Sequence, residues 1–450
     1  MPRTAQIFCA STLYGAATVV AAIDADKFRP ADRRILLVAN TAPYPETVAD
    51  FTELPGFARL RDRFDDVLSW NETISPFHPG GWSTRGDDSP LWERYLRRLW
   101  KLGDDRVELV GETLENGPAY ALAQMFPDSP VDLYAAGLIA YGPTRAKLDP
   151  IIGTRARRLL YPDLVPGLKP LLLAEFGVPT ETLPLDGLRK LFAEPSAGAG
   201  SKKSAPDGPA LLLGQYLSGE DVLSEAREEE LYGRMVRAAV ARGHRTLVFA
   251  PHPTAPVRWS RHLEQEAEQL GAELTVSTEP VAAESLFQTL RPALVIGCFS
   301  TALFTAATLY GLPVAQVGTG SLLAGLSPYA APQRIPLTLA DALLSDLEDP
   351  AVRVGAGLPP AGQVADRVAG LRDAVAFCMQ PQVHAALRPA VEEYLSGHLD
   401  EDTWPYFKRR VLASLVLPGA VPAQLAFIPR NPAVRRIARR AKALGRTAQG

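Results

Sequence analysis

The chain is short of the residues that most often betray a fold or a metal site. Its three cysteines, Cys9, Cys298 and Cys378, are odd in number and far apart. That excludes a disulfide scaffold and offers no paired ligand spacing, so they read as reduced, mostly buried thiols, and no metal is expected. A G-x-G-x-x-G dinucleotide fingerprint and a Walker-type phosphate loop are both missing. The acidic pair at Asp24 and Asp26 lies at the end of a predicted helix and reads as a solvated turn. The opening residues MPRTAQIFCAS lack a basic region followed by a long apolar core, so no signal peptide is evident and a cytoplasmic protein is expected. Acid is missing from the end of the chain. No Asp or Glu follows Asp402, while ten Lys and Arg lie between Lys408 and Arg446.

What is present is ordinary for a soluble enzyme: 450 residues, 47% hydrophobic and 22% charged, with a net charge of -3. The length calls for more than one core, and the charge gives no reason to expect a nucleic-acid partner. The first half opens as a strand in AQIFCA, a loop in STLYG and a helix over Ala16–Ala25. A strand follows in RILLVAN and another in VDLYAAG. Between them, SWNETISPFHPGGWSTR reads as a long surface loop. The run from 194 to 209 is small, polar and rich in Pro and Gly, which makes it the linker. Beyond it, five strands alternate with helices, the pattern of a parallel sheet covered on both faces. The expected organisation is an α/β chain with a Rossmann-like domain over 1–193, a linker over 194–209 and a second Rossmann-like domain over 210–335. Helices packing on both domains follow over 336–428, then a basic amphipathic tail over 429–450.

One of only six histidines, His252, stands in LVFAPHPTAP where an apolar strand stops. The carboxyl ends of strands are where open α/β sheets gather ligands. Three features share that edge in the second domain: Gly214 and Gln215 in GQY, His252 with Pro253, and Ser300 with Thr301. Ser300 and Thr301 also begin a helix, whose free N–H groups favour a phosphate. Each has a blander reading: a core histidine, and a simple N-cap at Ser300. Glu284 in AAESLF could accept hydrogen bonds from a ribose, or merely favour the first turn of its helix. Without a phosphate loop or a metal cluster, these groups suit a nucleoside monophosphate leaving group better than a diphosphate.

The segments LYAAGLIAYGPTR, FAPHP, AAESLF and GCFSTALFTAATLYGLP, in that order, resemble the bacterial polysialyltransferase family of GT-B glycosyltransferases. The resemblance implies two Rossmann-like domains facing a cleft and inverting transfer of a sialic acid or related nonulosonate, such as Kdn, from its CMP-activated form to a glycan acceptor. It gives His252 the donor phosphate and the role of general acid, Ser300 and Thr301 the same phosphate, and Glu284 the ribose. Ser11, Thr12, Tyr141 and Arg145 would lie on the acceptor side, with WNETISPFHPGG from Trp70 as a further acceptor element. The pattern departs at Ala136, where the family carries the Asp that deprotonates the acceptor. Three explanations stay open: a substitution introduced in place of the acid, a natural loss of activity, or another carboxylate, Glu112 or Glu115, in its role. The first is favoured because Tyr134, Gly137 and YGPTR around the gap are intact, so an impaired enzyme is expected. The rivals are a glycan- or nucleotide-binding pseudoenzyme and a transferase using a different activated donor. In the tail, Val434, Ile437, Ala438, Ala441 and Leu444 recur at helical spacing among Arg435, Arg436, Arg439, Arg440 and Lys442. That pattern suits a dock on an anionic membrane surface, on the inner face of the plasma membrane, or equally a solvated tail or a helix packed on the protein.

Overall fold

The computed structural model describes residues 3–115, 117–145, 147–193, 208–252, 257–277, 281–355 and 357–420. The expected linker, apart from residues 208 and 209, and the basic tail lie outside the described residues, as does Pro253.

Seven strands form the first sheet: β1 (Thr4–Ala10), β2 (Arg33–Val38), β3 (Asp66–Ser69), β4 (Arg106–Gly111), β5 (Val131–Tyr134), β6 (Ala156–Pro162) and β7 (Thr180–Leu183). Their order is β3-β2-β1-β4-β5-β6-β7, all parallel. The second sheet holds β8 (Ala210–Leu213), β9 (Thr246–Ala250), β10 (Glu273–Val276), β11 (Leu294–Gly297), β12 (Val314–Gln316) and β13 (Ser345–Asp346). Its order, β10-β9-β8-β11-β12-β13, repeats the first and is likewise parallel. Central strands such as β5, β8 and β11 are buried along their whole length, because helices cover both faces of a parallel sheet. This is the doubly wound α/β fold twice over, the GT-B architecture. In each sheet the chain starts in the middle and reverses direction after three strands. The crevice this leaves lies between β1 and β4 in the first sheet and between β8 and β11 in the second, and such crevices are where doubly wound sheets bind ligands.

Charge inside strands hid half of the first sheet from the sequence pattern. In β4, Glu108 is buried and accepts a hydrogen bond from the Gln6 amide. In β6, Arg157 and Arg158 both pair with Asp132 on β5, which is fully buried. These charges sit at the amino-terminal rim of the strands, where each has an opposite partner. The expected loop after Ser69 is also corrected: Trp70–Ile74 is a short helix capped by Ser69, with Trp70 wholly buried against Trp82 and Trp100. After Arg334 the chain is not purely helical, since β13 adds a sixth strand to the second sheet.

The helix Ala361–Met379 follows the second sheet in sequence but packs back on the first domain. Its Arg372 donates to the carbonyl oxygens of Lys169 and Tyr141, and Gln380 just after it donates to that of Arg145. All three cysteines are buried and unbridged. No helix among the described residues is long and apolar enough to cross a membrane.

Candidate active site

The crevice of the second sheet is built from three loops that hold one another. After β8, Gly214 passes so close to the next loop that a Cβ there would lie 3.1 Å from the backbone N of His252. A larger residue would press on the His252 backbone, so glycine suits that approach. Gln215 then reaches across the crevice, its Oε1 accepting from the backbone N–H of Phe299 at 2.9 Å. It is therefore a strut between the β8 and β11 loops. Tyr216, in the left-handed region at φ 56°, stacks on the His252 ring with centroids 5.9 Å apart. Glu228, fully buried, fixes this turn by accepting from the N–H groups of Leu217 and Ser218, each at 2.6 Å, and from the Tyr232 hydroxyl at 2.5 Å.

His252 ends the β9 edge with its side chain exposed. Desolvation by the packed loop pulls its pKa below the ordinary histidine value, against the Glu220 and Glu228 carboxylates, which raise it. Desolvation outweighs the two carboxylates, so the free protein does not hold the raised imidazolium expected beside a phosphate, and a bound anion would be needed to favour it. Ser300 is the N-cap of the helix Thr301–Leu309, its hydroxyl accepting from Ala302 N–H at 3.2 Å. The capping reading holds, and it uses the N–H groups of Ala302 and Leu303, so Thr301 at the head of the helix carries the N–H without an intrahelical partner. Glu284 is buried in the first turn of the helix Ala283–Leu290, and desolvation raises its pKa to about 7.

The first sheet faces these groups with different chemistry. Ser11, just beyond β1, donates to Glu112, just beyond β4, at 3.2 Å across the sheet's own crevice. Thr12 caps the helix Leu13–Asp24 by accepting from Gly15 N–H at 3.0 Å. Ala136 is nearly buried after β5. Its neighbour Gly137 abuts the other domain, where an added Cβ would lie 2.8 Å from Thr301 Oγ1. Tyr14 makes a second approach, its buried hydroxyl lying close to Glu284 and Thr305 of the second domain.

Two expected acceptor residues are not presented to the cleft. Tyr141 is wholly buried, its hydroxyl accepting from Val165 N–H at 3.0 Å. Arg145 is held by Glu115, through a side-chain contact of 2.6 Å and a backbone bond to the same carboxylate. That contact also engages Glu115, whose side chain is almost fully buried, leaving Glu112 as the only one of the two open to a proton-transfer role. Tyr216, Glu228 and Tyr14 escaped the sequence reading. The first stood inside the GQY segment already noted, and Glu228 with Tyr232 carried only a helical i, i+4 spacing.

The family model described as alpha-2,8-polysialyltransferase (POLYST) matches residues 6–319. The chain belongs to this family. It is thus a glycosyltransferase by membership, and its match spans both sheets through the β12 edge. Among solved structures, similarity extends to S. aureus MnaA with UDP (12% identity, TM-score 0.42, 75% of this chain and 87% of that one). MurG of Acinetobacter baumannii is similar at 12% identity and TM-score 0.41, over 76% and 84%. A UDP-glucosyltransferase from Polygonum tinctorium follows at 13% and 0.41, over 92% and 98%. No curated protein sequence matches the chain.

Proposed function

We propose that this polysialyltransferase-family protein transfers a sialic acid or related nonulosonate from its CMP-activated form to a glycan acceptor with inversion at the anomeric carbon. The observation that carries the reading is the placement of His252 after β9 and of the Ser300-capped helix after β11 on one carboxyl edge of the second sheet, either side of β8. These groups recognise a single phosphate by one cationic donor, hydroxyls and helix N–H groups, with no metal required. Glu284 would accept from the ribose. Phosphate binding would raise the His252 pKa, so the imidazolium forms as the donor arrives and then stabilises departing CMP. Tyr216 holds the ring in place for that step.

Titration calorimetry of the full chain with CMP, UDP and CDP tests the donor. The expected result is binding of CMP well above UDP and CDP. Equal binding of all three, or preference for a diphosphate, would assign the site to a different nucleotide-activated donor. A second reading, a nucleotide- or glycan-binding pseudoenzyme, is favoured by Ala136 alone, and it requires CMP binding without transfer.

A further inference from the structure

Among the described residues Glu112 is a carboxylate without a cation, set at the ligand-gathering crevice of a doubly wound sheet. Its position follows from topology. β4 pairs with β1 on one side and with β5 on the other, and the registers Val110↔Asp132 and Gly111↔Leu133 carry Glu112 alongside Tyr134, two residues before Ala136. On the β1 side its one hydrogen-bond partner is the Ser11 hydroxyl. The titratable groups facing it are the Cys9 thiol from β1 and the Tyr134 phenol from β5, both pushed up by burial and by Glu112 itself, so neither neutralises it. Burial also raises the Glu112 pKa, while the Ser11 bond opposes that rise.

Two of the contacts that join the domains flank this point. Tyr14, three residues beyond Ser11, reaches Glu284 and Thr305, and Gly137, three residues beyond Tyr134, abuts Thr301. Glu112 therefore lies between two bridges to the domain that carries His252. Glu115, by contrast, is consumed by Arg145. Nothing in the packing of the first sheet calls for an uncompensated carboxylate at this position, and burying one is costly. Such a cost is retained where a group has work to do.

We propose that Glu112, oriented by Ser11, is the proton acceptor of the transfer reaction, in place of the carboxylate missing at Ala136. The proposal rests on the transferase reading above. In the step, the acceptor hydroxyl gives its proton to the Glu112 carboxylate as its oxygen lone pair forms the new bond to the anomeric carbon. The bond from that carbon to the donor phosphate oxygen breaks, and its electron pair leaves with CMP. A raised pKa makes the carboxylate a stronger base while leaving it ionised at alkaline pH, so the rate is lost as pH falls through that raised value.

The test measures CMP release from CMP-sialic acid with an oligosialic acid acceptor, together with CMP affinity and melting temperature, for the parent, Glu112→Gln, Glu112→Asp, Ser11→Ala and Ala136→Asp. Loss of release by about 10² to 10⁴ in Glu112→Gln, with unchanged CMP affinity and partial activity in Glu112→Asp, supports the proposal. A folding role is separated by stability, because a neutral amide at a site that disfavours charge leaves the melting temperature at neutral pH unchanged or higher. In Ser11→Ala the acid limb of the rate profile should move to higher pH, since the bond that favoured the ionised form is gone. Equal release by parent and Glu112→Gln overturns Glu112 and leaves the transferase reading standing. A parent that binds CMP without releasing it, restored by Ala136→Asp, places the base at residue 136 and likewise overturns the proposal. A parent that neither binds CMP nor releases it removes the transferase reading and the proposal together.

Discussion

The two sheets share a strand order and differ in what stands at their crevices. The first carries a buried carboxylate with a hydroxyl, Glu112 and Ser11; the second carries an imidazole, a capped helix terminus and a ribose-sized acid, His252, Ser300 and Glu284. The same strand order thus carries different side chains at its two crevices, and under the proposed reading one takes a proton while the other holds an anion. The difference teaches that the fold supplies only the place, and that the residues immediately following the central strands supply the reaction. Support also differs. The second crevice is tied across by Gln215 and fixed from beneath by Glu228, whereas the first is tied by Ser11 to Glu112 and by the Tyr134 hydroxyl donating to the Cys9 carbonyl.

The largest way to break this contrast is to remove its support. Glu228→Ala leaves the N–H groups of Leu217 and Ser218 without their acceptor, which should lower stability by on the order of 3 kcal/mol and weaken CMP binding as the Tyr216 stack loosens. Urea denaturation checks it, and a loss below about 1 kcal/mol would show that the loop holds itself. A smaller effect tests the seam. Gly137→Ala pushes a methyl into Thr301, at an expected cost of about 1 to 3 kcal/mol. Thr301→Ala in the same chain should recover part of that cost, whereas strictly additive losses would mean the two residues do not meet. The last effect is read as a slope. Glu284 titrates near 7 in the folded chain and near ~4.3 when unfolded, so the unfolded state sheds its proton first and stability falls as pH rises between those values. Glu284→Gln should gain stability relative to the parent across that window and hold the gain above it; a constant difference at every pH would contradict the assignment.

The second domain was readable because TLVFAPH and ALVIGCFS run apolar and then stop on His252 and Ser300, so strand, edge and ligand groups are written in one line. The first domain was not, because Glu108, Arg157 and Arg158 interrupt its strands and their partner Asp132 sits on another strand. Glu112 was visible as an acid, but its setting depends on β1 lying beside β4, a neighbour relation that crosses a hundred residues. Tyr141 and Arg145 matched a motif whose side chains turn inward to Val165 and Glu115, a direction no spacing reveals. Gln215, expected on the ligand, spans the crevice through its Oε1, a role its sequence position did not show.

The division of labour between the sheets is the central claim, and CMP affinity measured by calorimetry in parallel for the parent, His252→Ala and Glu112→Gln tests it most directly. Loss of a charge-assisted bond to phosphate in His252→Ala should cost about 1.5 to 3 kcal/mol, a fall of roughly 10- to 150-fold, while Glu112→Gln binds CMP as the parent does. Equal affinity in His252→Ala and the parent, or an equal loss in both variants, would contradict the account.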